Sequence, residues 1–281
     1  MIRFGPSGNS TRFYDEGHTH TVEAAKWLKD LGLDAYEYSF GRGINISDAT
    51  AESIGNQFAQ YGVEISVHAP YYINFANPDD AMAEKSYNYV LNSCRKLQFF
   101  GGRRVVFHPA TVGKMQREDA VALAEKRIAV LVEKIYEAGL GDYMFCPETM
   151  GKINQIGDVK EIVRFCKLDK CLVPCVDFGH LNARTLGSLK TADDFERLIV
   201  YMLENLDFER VSNMHIHFSK IEYAKGGEVR HLTFEDKVYG PDFLPLAEVL
   251  KKYRLEPYII CESDGSQADD AVQMKNIYHS L

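Results

Sequence analysis

The sequence predicts a single (β/α)₈ TIM barrel, and three observations support this fold class. Eight short apolar runs alternate with eight helical patterns along the chain, which is typical of parallel α/β folds. The length of 281 residues is usual for one such barrel, and no linker rich in Pro, Gly or Ser interrupts it. Six of the apolar runs end in His, Asp or Glu. We therefore expect one domain over residues 1–281, with a functional site at the C-terminal ends of its strands.

The strands are recognised as short apolar runs without helical periodicity, as expected for buried parallel strands. In chain order they are predicted at Ile2–Phe4, Ala35–Tyr38, Glu64–Val67, Arg104–Phe107, Tyr143–Cys146, Leu172–Val176, Val211–Ile216 and Tyr258–Cys261.

The helices between them are recognised by apolar spacing and by capping residues. Ser47 is a predicted N-cap, and Gly62 ends the helix that follows it. Asp79 opens a long helix, and Gly139 closes the next one. The remaining helices are predicted at Val22–Leu31, Asp158–Phe165, Ala192–Leu206, Phe243–Tyr253 and Asp269–Tyr278.

The composition limits the classes of function. With 32 basic and 40 acidic residues the net charge is −8, which argues against a general affinity for nucleic acid through a basic surface. No apolar run approaches the roughly 18 residues that a membrane span needs. The N-terminal residues have no apolar segment suited to export, so we expect a cytoplasmic protein without membrane contact. We also expect a monomer. The six cysteines form no CxxC pair, which favours buried thiols.

The polar residues that end the strands are the main functional signal. Residues of these types are rarely expected at the end of a buried strand unless something binds them. The candidate metal ligands are His68, His108, Glu148, Asp177, His180, His215, His231 and Glu262. Imidazole and carboxylate together suit zinc, and also manganese or iron. They are too many for one ion, so we expect two or three. His217 is as consistent with supporting a ligand as with binding the ion itself.

Six short motifs resemble those of the endonuclease IV family, the apurinic/apyrimidinic endonucleases of the xylose-isomerase-like TIM-barrel superfamily. They are HAPYYIN at 68–74, VVFHPAT at 105–111, PETMGK at 147–152, VDFGHLNAR at 176–184, MHIHFSK at 214–220 and ICES at 260–263. The resemblance spans nearly the whole chain. It implies a zinc-dependent DNA-repair enzyme that hydrolyses the phosphodiester 5′ to an abasic site in DNA.

The resemblance also implies how the ligands are shared. His68, His108 and Glu148 would hold the first ion, and His180 and His231 the third. The ligands of the second would be Glu148, Asp177, His215 and Glu262. Glu148 would then be the catalytic residue, because it bridges two ions whose shared hydroxide is the nucleophile.

One position departs from the family pattern. The family usually has Asp-x-His for the third ion, whereas this chain has Val229-Arg230-His231. Glu228 is adjacent, but a shift of one residue turns a side chain to the other face of an extended strand. We therefore expect weak binding of the third ion, and we expect the substitution Val229→Asp to strengthen it. A two-metal enzyme, or a third site completed by water or by Glu228, remains an alternative.

Four loop residues are candidate contacts to the substrate. Tyr71 and Tyr72 follow His68 where the family inserts side chains at the abasic position, and aromatic rings can stack on bases. Asn74 and Arg42 are candidate phosphate contacts.

Two other functions remain open at this stage. A sugar isomerase or epimerase of the same superfamily would need one divalent ion, for which Glu148, Asp177, His215 and Glu262 suffice. The additional histidines favour the nuclease, while the acidic surface keeps the sugar enzyme open. A non-catalytic protein that binds metal or nucleic acid is the third possibility.

Overall fold

Each of the eight apolar runs contributes a parallel strand in the computed structural model, which describes residues 1–281. These barrel strands are β1 Arg3–Pro6, β2 Ala35–Ser39, β3 Glu64–His68, β4 Arg104–Phe107, β5 Met144–Pro147, β6 Cys175–Asp177, β7 His215–Phe218 and β8 Tyr258–Cys261. They form two four-stranded sheets, β1-β8-β7-β6 and β2-β3-β4-β5.

Isolated bridges join the two sheets into a closed barrel. Ser7 pairs with Glu37 between β1 and β2, and Glu148 pairs with Cys175 between β5 and β6. All of these pairings are parallel. The predicted (β/α)₈ barrel is therefore confirmed.

Helices surround the strands, and several caps are those expected from the sequence. Ser47 Oγ accepts a hydrogen bond from the Thr50 amide, and Gly62 ends the helix at φ 68°. Asp79 caps the next helix through the Ala81 amide. The helices are Thr11–Asp15, Thr21–Asp30, Asp48–Tyr61, Asp80–Phe100, Arg117–Glu137, Val159–Cys166, Phe178–Arg184, Ala192–Asn205, Phe208–Ser212, Phe243–Lys252 and Gln267–Ser280.

Two strand predictions began three and four residues too early. The ladder of β6 begins only at Cys175, because Pro174 has no amide hydrogen to continue it. The predicted strand Val211–Ile216 begins at His215, and the residues before it form a short helix. Asp207 caps that helix by accepting the Arg210 amide at 2.9 Å.

The loops at the C-terminal ends of the strands carry further structure. An antiparallel hairpin, Lys220–Ala224 and Gly227–Leu232, follows β7. Two short strands, Ala110–Thr111 and Gln155–Ile156, pair between the loops after β4 and β5. No helix combines the length and the apolar character that a membrane span requires.

Candidate metal centre

Glu148 is the central residue of the polar cluster at the C-terminal ends of the strands. It directly follows β5, and its side chain is buried. Its Oε2 lies 3.1 Å from His68 Nε2 and 3.1 Å from His108 Nε2, and its Oε1 lies 2.9 Å from His217 Nδ1. Both oxygens therefore face imidazole nitrogens from different sides of the barrel.

The donor atoms fall into four groups, each with its members within 4.8 Å of one another; three of them contain carboxylates, and the fourth consists of Cys175, His215 and His217. The first group is His68, His108 and Glu148; the second group is Glu148, Asp177, His217 and Glu262; the third group is His180, Glu228 and His231. Glu148 belongs to two of them, as a bridging ligand must.

The structure brings His217, rather than the predicted His215, together with the carboxylates of the second group. Both side chains point into the barrel, because they are two residues apart on β7. His217 pairs in register with Asp177 and therefore lies at the level of the carboxylates. His215 pairs with Cys175, one layer deeper, and is fully buried.

The third group is assembled by a β-bulge in the hairpin after β7. Glu222 pairs with Arg230, but the next residue, Tyr223, pairs with Glu228, so Val229 has no partner. An extra residue shifts the alternation of faces by one. Glu228 and His231 therefore share a face although they are three residues apart.

The side chains of the third group lie as this bulge predicts. Glu228 Oε2 is 3.5 Å from His180 Nε2, whereas the Val229 side chain is 50% exposed. Glu228 thus occupies the place that the sequence pattern leaves without a carboxylate. Because Glu228 supplies a carboxylate, the valine at position 229 no longer predicts weak binding of the third ion or a gain from Val229→Asp.

Gly151 allows the hairpin to approach the centre. The Glu228 amide donates to the Gly151 carbonyl at 3.2 Å. A Cβ on Gly151 would lie 2.6 Å from Glu228 Cβ and 2.9 Å from the imidazole of His180. The loop after β5 therefore needs glycine here for Glu228 to reach His180.

His180 lies on a short helix at the C-terminal end of β6. The helix Phe178–Arg184 begins directly after β6, and Asp177 Oδ1 accepts the His180 amide at 2.7 Å. His180 Nδ1 lies 2.9 Å from the Thr149 carbonyl oxygen, which leaves Nε2 directed at Glu228. His231 Nδ1 lies 2.8 Å from Ser219 Oγ.

Burial and mutual charge shift the pKa values of the cluster. Burial raises the pKa of Asp177 to about 6, and the negative charge of Glu262 adds to this. Burial alone would lower the pKa of His68, but Glu148 raises it to about 9. For Glu148, a carboxyl group, burial alone would raise the pKa, yet the charge of His217 holds it well below its usual range. The carboxylates therefore attract positive charge, from protons or from metal ions.

The residues fit divalent metal ions. Asp177 Oδ2 is buried and has no hydrogen-bond partner, although His180 Nδ1 lies 3.2 Å away. Nitrogen and carboxylate oxygen are the donors that zinc prefers, and manganese and iron accept them as well. An ion in the second group would give the unpaired Asp177 oxygen a partner.

The proposed substrate residues lie in loops at the barrel mouth. Tyr71 is 54% exposed and stacks on the His108 ring at 5.7 Å, and Tyr72 is similarly exposed. Arg42 is exposed in the neighbouring loop. The Asn74 side chain donates from Nδ2 to Thr111 Oγ1 at 3.1 Å, and its Oδ1 accepts the amides of Ala76 and Thr111, so it also fixes the loop.

Two residues of the centre were missed or left open by the sequence. Glu37 lies on β2 and is fully buried behind His215 and His217, and its signal was a charged residue within a buried strand. Glu228 could not be assigned, because the bulge that turns it inward is set by pairing across the hairpin.

Comparisons with known proteins agree with this fold. The model of the family described as "Xylose isomerase-like TIM barrel" matches residues 25–277. An uncharacterized protein of Methanocaldococcus jannaschii is 30% identical over 98% of this chain and 96% of its own length. A probable endonuclease 4 of Malacoplasma penetrans is 27% identical over 64% of this chain and 61% of its own.

Solved structures of two enzyme classes share the fold. Endonuclease IV from Thermus thermophilus superposes with a TM-score of 0.66 at 17% identity, covering 99% of this chain and 96% of its own. A D-tagatose 3-epimerase-like protein superposes with a TM-score of 0.69 at 19% identity, covering 99% and 96%. At these identities the superpositions establish the fold and leave the reaction to the site.

Proposed function

The chain belongs to the xylose isomerase-like TIM-barrel family, and we propose that within it the protein is a zinc-dependent endonuclease that cleaves DNA 5′ to abasic sites. One observation carries this proposal. Nine side chains form three contacting groups of metal donors, whereas a one-metal sugar enzyme needs only the second group. The resemblance of the motifs to endonuclease IV and the match to a probable endonuclease 4 support the same choice.

The residues of the chain have separable roles in this proposal. The three groups would hold three ions, with Glu148 shared between the first two. Bound divalent ions would neutralise the phosphate and lower the pKa of a water molecule. The short helix after β6 holds His180 beside Asp177, and the hairpin brings Glu228 and His231 to the same place. Glu148 fixes the spacing of the first two groups.

The exposed aromatic residues would contact the DNA. Tyr71 is supported from below by His108, so its ring is held at the edge of the first group. An aromatic ring in this position can stack on bases and fill the gap left by a missing one. Because the net charge is −8, DNA would be bound locally at this mouth rather than by a broadly basic surface.

A duplex with one abasic site and a 5′ label on the damaged strand tests the proposal. The zinc-loaded protein should produce one nick 5′ to the lesion, and the upstream fragment should carry a 3′ hydroxyl that a polymerase extends. The same duplex without the lesion is the substrate control, and the variant Glu148→Gln is the protein control. Intact duplex under these conditions, with all three groups loaded, would refute the nuclease assignment.

A one-metal sugar epimerase is the second candidate, and the second group alone supports it. Glu148, Asp177, His217 and Glu262 would be sufficient for a single ion. Incubation with D-fructose and D-tagatose, followed by separation of the sugars, tests this reading. Epimerised sugar without DNA cleavage would favour it over the nuclease. If neither product forms, the remaining candidate is a non-catalytic metal-binding or nucleic-acid-binding protein.

A further inference from the structure

A buried carboxylate lies beneath the metal centre, on the opposite side of His217 from the proposed ion. Glu37 is fully buried on β2. Its Oε1 lies 3.0 Å from His217 Nε2, and its Oε2 lies 3.2 Å from His215 Nε2. Ser66 Oγ donates to the same Oε2 at 3.1 Å. One carboxylate therefore faces two imidazoles and a hydroxyl.

These atoms have no other partners. His217 Nε2, Glu37 Oε1 and both ring nitrogens of His215 are buried and make no aligned hydrogen bond in the protein, so the two Nε2 atoms meet Glu37 through close charge contacts. Buried polar groups are almost always paired, so the carboxylate and the imidazoles depend on one another. An ionised Glu37 can only accept hydrogen bonds, so a facing imidazole nitrogen must donate to it. His217 must then carry its proton on Nε2.

The other nitrogen of His217 faces the second group. His217 Nδ1 lies 2.9 Å from Glu148 Oε1 and 3.6 Å from Glu262 Oε2. A neutral imidazole with its proton on Nε2 has its lone pair on Nδ1, where a metal ion needs it. We propose that Glu37 is a positioning residue that fixes the proton of His217 on Nε2 and so presents Nδ1 to the ion of the second group.

This inference deepens the proposed metal centre and rests on the second group binding an ion, but it does not require nuclease activity. It also accounts for His215. That residue is not a ligand in this arrangement; it contacts the second oxygen of Glu37 and, with Ser66, holds the carboxylate in place. Both histidines of the HIH sequence therefore serve the same ion at different depths.

The variant Glu37→Gln tests the inference with little change in shape. Ser66 and His215 both approach Oε2, so the amide oxygen should take that place and accept from them. The amide NH₂ would then face His217 Nε2 and favour a proton on Nδ1, where it blocks the ion. Removing such a supporting carboxylate typically weakens metal affinity roughly 10–100-fold. Zinc affinity is measured by competition with a chromophoric chelator, and the occupancy of each group by anomalous diffraction at the zinc edge.

Matched variants separate positioning from general packing. Ser66→Ala removes one donor to Glu37 but keeps the carboxylate and its contact with His217, so its loss of zinc affinity should be clearly smaller than that of Glu37→Gln. Glu37→Leu removes the acceptor altogether and should match or exceed the loss in Glu37→Gln. Thermal unfolding of the metal-free variants shows which of them fold.

The unaltered protein offers a direct test that does not depend on a substitution. With histidine-selective ¹⁵N labelling, the zinc-loaded protein should show His217 bound through Nδ1 with a protected proton on Nε2. A zinc-loaded His217 with its proton on Nδ1 would overturn the proposal. It would also be overturned by full second-group occupancy and unchanged affinity in Glu37→Gln, or by an equal loss in Ser66→Ala. Failure of DNA cleavage would refute the nuclease assignment and leave these readings unaffected.

Discussion

The position of Glu228 makes the third group the sharpest test of the structure. We expect Glu228→Gln to lose the ion of the third group selectively, because Gln keeps the shape but removes the charge. A pair of unit charges 4 Å apart at an effective dielectric constant of 20 is worth about 4 kcal/mol. Glu228 lies at the edge of the centre with its side chain 15% exposed, so solvent screening lowers this value. A loss of roughly 10–100-fold in zinc affinity remains.

The neighbouring position provides the matched control. Val229 is the unpaired residue of the bulge and its side chain is half exposed, so Val229→Asp should change zinc affinity by less than about twofold. The double variant Glu228→Val with Val229→Asp moves the carboxylate by one residue and should not restore the third ion. Zinc content is measured after dialysis against a buffer of fixed free zinc.

Two results would refute this reasoning. If Glu228→Gln retained three tightly bound ions, the carboxylate would not be a ligand. If Val229→Asp raised the affinity, or if the double variant recovered it, residue 229 would face the centre and the bulge would be wrong.

The other expectations concern the remaining groups. His217→Ala should remove the ion of the second group, whereas His215→Ala should retain more zinc there and lower the free energy of unfolding by roughly 0.5–3 kcal/mol; equal zinc loss in both would contradict the assignment. Glu148→Gln should lose zinc and cleavage of abasic DNA together, and an active variant with full zinc content would exclude the bridging role. Gly151→Ala should displace the hairpin and release the third ion, with a crystal structure as the check. Because the pKa of His68 is raised to about 9 in the metal-free protein, zinc must displace its proton, so affinity should rise with pH up to about 9. Calorimetry in buffers of different ionisation enthalpy measures that release, and an affinity independent of pH between 6 and 8 would contradict it.

Much of the fold could be read from the sequence because each barrel strand is buried on both faces. Such strands appear as continuous apolar runs, so β4 and β8 were located to the residue. The errors lie where local effects decide the ends. Pro174 delays β6, and Asp207 starts a helix within a segment whose apolar residues resemble a strand.

The proposed ligands divide in the same way. His68 and Glu148 were predictable, because the end of a parallel strand fixes where the next side chain lies. His215 and His217 point the same way, and only the register between β6 and β7 decides which of them reaches the carboxylates. Glu228 depends on pairing across a hairpin, which no local pattern of the sequence records.

The structural element that carries each donor separates what the two enzyme classes share from what distinguishes them. The second group is built on the ends of β5 to β8, and a one-metal sugar enzyme could use it unchanged. The additional donors come from other places: His68 and His108 from β3 and β4, His180 from an extra helix, and Glu228 and His231 from an added hairpin. The shared fold therefore cannot distinguish between the two reactions, whereas these additional donors can.

A variant lacking the third group but keeping the second should still bind an ion in the barrel while losing DNA cleavage, because the phosphate would lack part of its neutralising charge. Full cleavage activity with an empty third group would show that the hairpin serves another purpose.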